Sequence, residues 1–389
     1  MRIGFVRLLD AAPLIVAEAK GFFEAQGLEV SLERQIGWMN IRDKLGFGSL
    51  DACHSLLGMP IMSQLGRAGF ARPMVSVMAL GSGGNTIVIS QRLAEIGIDS
   101  AAALGRLIHG GIYRRKLVCA HVATFSMHHY LLREWLSDGD INPDCDVELT
   151  QLTPMQVAEH MANRYVDVFC AGEPWGLLAQ QQGWGRVICA TTDVVPSHPE
   201  KVLAVTESFM RTHRGDALKA IRAILKSCQY CANPANRDEL AEILGQDTYL
   251  DEHPELIRLS LQATRATMGF GQTLACRPAD WTFRNWDVQY CAPSGTHVIW
   301  FLKQMQRWGE LSGETDLKGI ADRCIRHDIY NRAAASLHID VPKSNYPPMP
   351  LRRGVLAPTE VHSAPQAPKQ PKIHHQSGSV PGAFACHGH

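Results

Sequence analysis

Residues 1–32 are MRIGFVRLLDAAPLIVAEAKGFFEAQGLEVSL, two apolar runs separated by a proline-containing stretch with helical spacing. The first run predicts a strand over residues 3–7, and Asp10 is placed to cap a helix from about residue 13 to residue 23. Residues 27–32 predict a second strand after a glycine break. This alternation of strand, helix and strand indicates an α/β fold with a mostly parallel sheet and helices on its faces.

The same alternation continues along the chain and returns after residue 85. Further strands are predicted at residues 50–53, 86–90, 117–120, 147–152 and 166–170, with helices at 126–137 and 156–163. From Glu207 onward the pattern is helical, with predicted helices at 217–232, 237–244, 298–308 and 317–335. An alternation of strands and helices that occurs twice predicts two lobes of similar topology.

The predicted lobes divide the chain into four parts. Residues 1–84 form the first part of lobe 1, residues 85–196 form lobe 2, and residues 197–341 return to lobe 1 and add the C-terminal helices. Beyond Val341 the chain is rich in Pro, Ser, His and Gln and loses its periodicity. Residues 342–389 are therefore predicted to be a mostly disordered tail.

Charge and cysteine usage narrow the class of protein. The 389 residues include 38 Lys plus Arg and 38 Asp plus Glu, so no net charge attracts the chain to nucleic acid or an anionic membrane. We expect no direct nucleic-acid partner and no membrane partner. The 11 cysteines are scattered through apolar segments, which favours a reducing compartment. The chain begins with its first predicted strand rather than an export signal, so we expect a cytoplasmic protein.

Motifs that carry catalysis are missing from the sequence. The G-x-G-x-x-G, Walker, H-E-x-x-H and G-x-S-x-G patterns do not occur. One C-x-x-C pair, Cys228 and Cys231, stands alone on a predicted helix, and we interpret it as packing rather than a redox centre. We therefore predict no catalytic residues, no metal and no cofactor, and a protein that is not an enzyme.

Five residues with hydrogen-bond donors lie near predicted strand ends and helix starts, where open α/β sheets bind ligands and favour anions. They are Trp38, Asn85, His128, Gly172 and Lys201. The donors are an indole, an amide, an imidazole, a backbone N–H and an ammonium. Four of these residues also have a plainer interpretation, as a core Trp, an ordinary turn, a capping His and an exposed Lys. Glu173, a poor partner for an anion, is interpreted as structural or hinge-forming.

The chain resembles the nitrate-binding receptor family in four segments. They are residues 10–17 (DAAPLIVA), 38–45 (WMNIRDKL), 170–175 (CAGEPW) and 198–203 (HPEKVL). The resemblance covers about residues 2–310 and implies a type II periplasmic-binding-protein fold, with the anion held between two lobes. The family includes the periplasmic nitrate and bicarbonate receptors of ABC transporters. It also includes cytoplasmic sensors of the NasS type, which pair with an RNA-binding antiterminator, NasT.

The resemblance implies that Trp38, Asn85, His128, Gly172 and Lys201 contact the anion. Asn85 stands where transporter receptors are expected to carry Gln, and the spacing to Trp135 selects His128 over His129. Bicarbonate receptors are expected to carry an acid near the position of Lys201. The lysine therefore indicates nitrate or nitrite, and we expect a site of donors without a carboxylate.

Within this family the chain most resembles the NasS-type sensors. We expect it to bind nitrate or nitrite in the cytoplasm and to control a NasT-like antiterminator, and so to regulate nitrate assimilation. The alternative is the solute-binding component of a nitrate ABC transporter. A further alternative is an enzyme that resembles the thiamine-pyrimidine synthases, although their clustered cysteine motif is missing from this chain.

Overall fold

The structure, a computed structural model, describes residues 1–67, 69–111, 115–262 and 286–357. The strands in chain order are β1 (Arg2–Val6), β2 (Ser31–Gln35), β3 (Ala52–Leu56), β4 (Met74–Ala79), β5 (Asn85–Ser90), β6 (Leu117–His121), β7 (Val147–Gln151), β8 (Val168–Gly172), β9 (Gly185–Ala190), β10 (Lys201–Thr206), β11 (Met349–Pro350) and β12 (Val355–Leu356). The α-helices are α1 (Ala12–Ala19), α2 (Trp38–Phe47), α3 (Gly58–Gln64), α4 (Gln91–Glu95), α5 (Ala101–His109), α6 (Met127–Asp138), α7 (Pro154–Ala162), α8 (Trp175–Gln181), α9 (Thr191–Val194), α10 (Glu207–Thr212), α11 (Arg214–Ala232), α12 (Arg237–Gly245), α13 (Pro254–Gln262), α14 (Gly295–Arg307), α15 (Leu317–Cys324) and α16 (His327–Ala335).

Two five-stranded sheets form the centres of the two lobes. The strand order is β2-β1-β3-β10-β4 in lobe 1 and β7-β6-β8-β5-β9 in lobe 2. In lobe 1, β10 is antiparallel to both of its neighbours, and β5 is antiparallel to both of its neighbours in lobe 2. The other pairings in each sheet are parallel. The predicted α/β class, with two lobes and mostly parallel sheets, is confirmed.

The chain passes between the two sheets twice. It leaves lobe 1 after Ala79 and enters lobe 2 at Asn85, the first residue of β5. It leaves α9 after Val194 and re-enters the lobe 1 sheet at Lys201, the first residue of β10. The predicted lobe boundaries, 84/85 and 196/197, lie in these two connections and stay predictions.

Two predicted elements differ from the structure for identifiable reasons. The second strand is Ser31–Gln35 rather than residues 27–32, because Gly27 has a left-handed φ of 64° at the end of a short 3-10 turn. Leu28 is buried before that strand begins. The single helix predicted over residues 317–335 is divided into α15 and α16. Between them, Ile325 forms a bridge with Ser76 of β4, which interrupts the helix.

Helix α14 packs between the lobes and joins their cores. The ring of Phe301 lies edge-on to the ring of Tyr130 in α6 of lobe 2, with 4.8 Å between their centroids. On the lobe 1 side, Phe301 approaches Gly58 at the start of α3, where an added Cβ would lie 2.8 Å from Phe301 Cζ and 2.0 Å from the carbonyl oxygen of Phe125. Only a residue without a side chain allows this approach of α3 to lobe 2.

Part of the segment predicted to be disordered packs against the body of the protein. The Gly295 N–H donates to the carbonyl oxygen of Asn345 at 2.8 Å, and the Tyr346 hydroxyl donates to Asp322 at 2.5 Å. Residues 342–357 therefore differ from the prediction, because an aromatic side chain and backbone hydrogen bonds hold them in place. Residues 358–389, the remainder of the predicted tail, lie outside the described residues.

The described helices give no membrane span. Within residues 1–67, 69–111, 115–262 and 286–357, none is both long enough and apolar enough to cross a bilayer.

Candidate functional site

A buried lysine with two carboxylate partners lies where the two lobes meet. Lys201, the first residue of β10, is only 1% exposed. Its Nζ lies 2.7 Å from Asp10 Oδ2 and also contacts Glu200 Oε1. Burial alone would disfavour the ammonium, but attraction by Asp10 and Glu200 outweighs it and raises the pKa of Lys201. Lys201 is therefore a charged ammonium in the interior.

A series of hydrogen bonds from lobe 2 reaches Glu200, one of the two carboxylates beside Lys201. The Asn85 amide, at the start of β5, donates from Nδ2 to Glu200 Oε2 at 2.5 Å. His128 Nε2, in the first turn of α6, lies 2.9 Å from Asn85 Oδ1. Gly172 pairs with Asn85 in the β5–β8 register, and a Cβ at Gly172 would lie 3.3 Å from Asn85 Oδ1. The side chains of both lobes thus converge on one point.

Trp38 and His54 complete the lobe 1 side. The ring centroid of Trp38, in the first turn of α2, lies 5.5 Å from Lys201 Nζ and 5.5 Å from the His54 ring. His54 Nε2 contacts Asp10 Oδ1 at 2.9 Å. Trp38 Nε1 is buried and has no hydrogen-bond partner among the described residues. An unpartnered indole donor next to an ammonium fits a ligand that accepts hydrogen bonds.

We name this group of residues the Lys201 cluster. Its members are Asp10, Trp38, His54, Asn85, His128, Gly172, Glu200 and Lys201. The structure brings all five predicted site residues together in it, and their contacts with an anion stay predictions. His129, the alternative to His128, instead lies 3.1 Å from His121 beside a separate cavity of about 340 Å³.

The expectation of a site without carboxylates is wrong, and with two acids beside it Lys201 does not separate nitrate or nitrite from bicarbonate. Asp10 and Glu200 both contact Lys201. Asp10 is also not the predicted helix cap, because it lies in a 3-10 turn, Leu9–Ala11, and α1 has no side-chain cap. Asp10, Glu200 and His54 are not among the five predicted site residues, although Asp10 and Glu200 occur in two of the family-like segments. Their place in segments 10–17 and 198–203 was the available indication.

Burial sets the protonation states around Lys201. Burial opposes ionisation of Asp10, but Lys201 and His54 hold its pKa well below the ordinary value. Burial lowers the pKa of His54 and His128, which keeps both imidazoles neutral at pH 7. Burial raises the pKa of Glu200 in spite of the attraction of Lys201. The described residues contain no group of three or more His, Cys, Asp or Glu that could hold a metal ion.

Residues after β8 contact lobe 1 directly. The Leu9 N–H donates to the carbonyl oxygen of Glu173 at 2.9 Å, and Trp175 Nε1 donates to the carbonyl oxygen of Arg7 at 3.1 Å. The Glu173 carboxylate faces lobe 2, where it accepts from the Thr86 hydroxyl at 2.8 Å. Glu173 thus has a structural role at the junction of the lobes, as predicted.

Glu173→Gln should reduce the pH dependence of stability between pH 4.5 and 7. Burial raises the pKa of the Glu173 carboxyl from 4.5 to about 7. The folded protein therefore binds more protons than the unfolded chain in that window, so the free energy of unfolding falls as pH rises, by up to about 3 kcal/mol. Denaturant unfolding at several pH values measures the slope. Glu148→Gln, at an exposed position of β7, is the control. Equal slopes for wild type and Glu173→Gln would contradict this assignment.

Comparison with known proteins places the chain in a family. The profile of the NMT1-like family matches residues 1–245. The chain belongs to the NMT1-like family. Among relatives of this NMT1-like chain, the nitrate/nitrite binding protein NrtA of Synechococcus elongatus is 30% identical over 356 residues, covering 88% of the chain and 80% of NrtA. The resemblance to nitrate-binding receptors is thereby confirmed.

A second relative is part of a larger protein. The bicarbonate transport ATP-binding protein CmpC of Synechococcus elongatus is 34% identical over 340 residues, which cover 87% of this NMT1-like chain and 49% of CmpC. The chain thus spans about half the length of the first curated relatives it matches. These relatives are described as bicarbonate transport ATP-binding proteins, whereas NrtA is described as a nitrate/nitrite binding protein.

A solved structure gives the same fold. The periplasmic nitrate-binding protein NrtA from Synechocystis superposes with a TM-score of 0.84 at 26% identity, covering 92% of the chain and 96% of NrtA. The predicted periplasmic-binding-protein fold is therefore confirmed for this member of the NMT1-like family.

Proposed function

We propose that the chain is a receptor for nitrate or nitrite and that the Lys201 cluster holds the anion. The observation that carries this proposal is the convergence of four donor residues, Trp38, Asn85, His128 and Gly172, around the buried ammonium of Lys201 where the lobes meet. Two similar proteins, both called NrtA, are described as binding nitrate or nitrite. The buried Trp38 indole without a partner adds a donor of the kind that an acceptor-only anion requires.

The donors are sufficient for useful affinity. A charge-assisted contact from Lys201 contributes about 1.5–3 kcal/mol, and each neutral donor such as Trp38 or His128 contributes about 0.5–1.5 kcal/mol. Ordering of the side chains and desolvation of the anion and its donors reduce the sum of these contributions. The remainder is compatible with micromolar binding, about 8 kcal/mol. Gly172 allows the end of β8 to lie close to Leu8 and Asn85, because a Cβ there would lie 3.1 Å from Leu8 Cδ2 and 3.3 Å from Asn85 Oδ1.

Calorimetry tests the ligand class. Nitrate, nitrite, bicarbonate and chloride are titrated separately into the full chain at pH 7. We expect nitrate or nitrite to bind in the micromolar range, with chloride much weaker because it cannot meet several separated donors. Binding of bicarbonate alone, or of none of these anions, would overturn the assignment.

We further propose that the receptor is a cytoplasmic sensor of the NasS type, which controls a NasT-like antiterminator and through it nitrate assimilation. Cys53, Cys119 and Cys170 are buried free thiols, which is usual for proteins of a reducing compartment and supports this location. The anion would act by favouring one arrangement of the lobes over the other, and only a partner with different affinity for the two arrangements can respond.

This sensor hypothesis predicts a complex that nitrate dissociates. The chain and a NasT-like protein from the same genome are mixed and separated by size-exclusion chromatography with and without millimolar nitrate. We expect co-elution without nitrate and separate elution with it. A complex that persists in millimolar nitrate, or the lack of a complex under both conditions, would contradict the sensor hypothesis. Neither result would contradict the proposal that the chain binds the anion.

The second candidate is the solute-binding component of a nitrate ABC transporter. The descriptions of the relatives as transport and binding proteins favour it. Cell fractionation of the tagged, full-length native protein separates the two roles. Recovery outside the cytoplasm would favour transport, whereas recovery in the cytoplasm with a NasT-like partner would favour sensing.

A further inference from the structure

We propose that nitrate or nitrite binds to the Lys201 cluster together with one proton, which Glu200 takes up. This inference rests on the proposed function, because it concerns the same site and the same anions. It identifies Glu200 as the residue that makes the affinity of the site depend on pH and on whether an anion carries its own proton.

The charge of the cluster is the first observation. Lys201 contributes one positive charge, and the carboxylates of Asp10 and Glu200 contribute two negative charges, which leaves the ionised cluster with a net charge of −1. Lys201 and Glu200 are 1% and 2% exposed, so solvent screens these charges little. A monovalent anion that enters this site therefore meets an excess of negative charge unless one carboxylate is neutralised.

The second observation is that Glu200 uses the donors that the anion needs. Its Oε1 contacts the Lys201 ammonium and lies 3.7 Å from His128 Nε2, and its Oε2 accepts from Asn85 Nδ2 at 2.5 Å. An anion that draws Lys201 and Asn85 to itself removes the groups that stabilise the Glu200 carboxylate. A buried carboxylate that loses its counter-charge takes up a proton.

Asp10 does not compete for this proton. It contacts Lys201 Nζ at 2.7 Å from one oxygen and His54 Nε2 at 2.9 Å from the other. These two contacts hold the pKa of Asp10 well below its ordinary value, whereas burial raises the pKa of Glu200. Asp10 thus remains the fixed partner of Lys201.

Several other titratable groups face this region. Those that interact with Glu200 itself are Lys201 of β10, Asp10 of the 3-10 turn, His128 of α6, Cys170 of β8 and His198 in the connection to β10. His54 of β3, Cys189 of β9 and His297 of α14 interact with Asp10, Cys170 and His198, respectively. Burial lowers the pKa of His198 to about 4 and of His297 to about 4, so both imidazoles are neutral at pH 7. Among the described residues, His128 and His198 are imidazoles within 4 Å of Glu200 and are the alternative proton acceptors that Glu200→Gln tests.

The proton balance is simple. The free protein holds a Glu200 carboxylate, solvent supplies one proton, and the complex holds a neutral carboxylic acid and an intact anion. No covalent bond to the ligand forms and nothing is oxidised. An anion that carries its own proton can donate it in a hydrogen bond to ionised Glu200, and it therefore binds without net proton uptake.

Calorimetry of the wild type measures the proton directly. Nitrate and nitrite are titrated at pH 8 in two buffers, HEPES and Tris, whose ionisation enthalpies differ, and the difference in observed enthalpy gives the protons taken up. We expect about one proton per anion and a Kd that rises by up to tenfold per pH unit between pH 7 and 9. Proton uptake near zero with binding intact would overturn the proposal.

Glu200→Gln tests which residue takes the proton. Gln has the shape of the protonated acid and keeps an acceptor for Asn85. We expect its nitrate affinity to be nearly independent of pH from 7 to 9 and tighter than wild type at pH 9. Glu148→Gln, on the exposed face of β7, should retain the wild-type proton number. A Glu200→Gln variant with wild-type pH dependence would assign the proton to another group, such as His128 or His198, and overturn the role of Glu200.

The outcomes for the two proposals are distinguishable. If wild type binds neither nitrate nor nitrite between pH 5 and 9, the proposed function fails and this inference fails with it. If wild type binds nitrate without proton uptake, only this inference fails. The wild-type measurement needs no variant, so a Glu200→Gln protein that does not fold leaves the test intact.

Discussion

Lys201→Met should weaken nitrate or nitrite binding by about 100-fold or more, because it removes the charge-assisted donor of the site. The loss has a second cause. Asp10 and Glu200 both contact Lys201, and without it two buried carboxylates face the anion. Calorimetry at pH 7 measures the change in Kd. Binding within threefold of wild type in a folded Lys201→Met protein would show that the anion does not sit at this lysine.

Two controls separate lost binding from lost folding. Breaking a buried ion pair by removing one partner costs about 3–5 kcal/mol of stability, so the single variant is expected to be less stable than wild type. The double variant Glu200→Gln, Lys201→Met removes one charge of each sign and should recover part of that stability without recovering affinity. Lys116→Met, at an exposed position before β6, should change neither stability nor Kd.

Gly58→Val should weaken anion binding by tenfold or more because it opposes the approach of the two lobes. A Cβ at Gly58 would lie 2.0 Å from the carbonyl oxygen of Phe125 in lobe 2, and backbone cannot move aside as a flexible side chain can. The added side chain therefore destabilises the arrangement in which Lys201 of lobe 1 lies near Asn85 of lobe 2. The apparent affinity for the anion falls in proportion to the population of that arrangement.

Calorimetry and small-angle X-ray scattering together test this steric effect. We expect a higher Kd and a larger radius of gyration in saturating nitrate for Gly58→Val than for wild type. Gly215→Ala is the matched control, because a Cβ there meets nothing within 4 Å. A Gly58→Val protein with unchanged Kd and unchanged radius would show that this contact does not limit closure.

Local sequence patterns predicted the fold and five residues that the structure brings together in the Lys201 cluster. Each of Trp38, Asn85, His128, Gly172 and Lys201 lies at or next to a strand end or helix start, and such positions can be recognised from the alternation of apolar runs and turns. The two-lobed arrangement followed from the same alternation, which occurs twice.

Asp10 and His54, two further members of the Lys201 cluster, could not be predicted from such local patterns. Asp10 lies 191 positions before Lys201 in the chain, and the local pattern around it fits a helix cap equally well. His54 is part of a strand whose five residues are all buried, so no alternation of polar and apolar residues gives it a distinct role. Only the pairing of β3 with β10, in which Leu56 lies opposite Lys201, places the end of β3 beside the ammonium. Glu200 directly precedes Lys201 in the sequence, so the fold is needed only to bring Asp10 and His54 to this cluster.

The proposed function ties anion selectivity and lobe motion to the same two positions. Asn85 is the first residue after the chain enters lobe 2, and Lys201 is the first residue of β10 after it returns. Under this proposal each residue would both contact the ligand and end a connection between the lobes. A substitution that changes which anion is held is therefore expected to change how the lobes move as well. A new ligand preference in such a protein would bring a new switching behaviour with it.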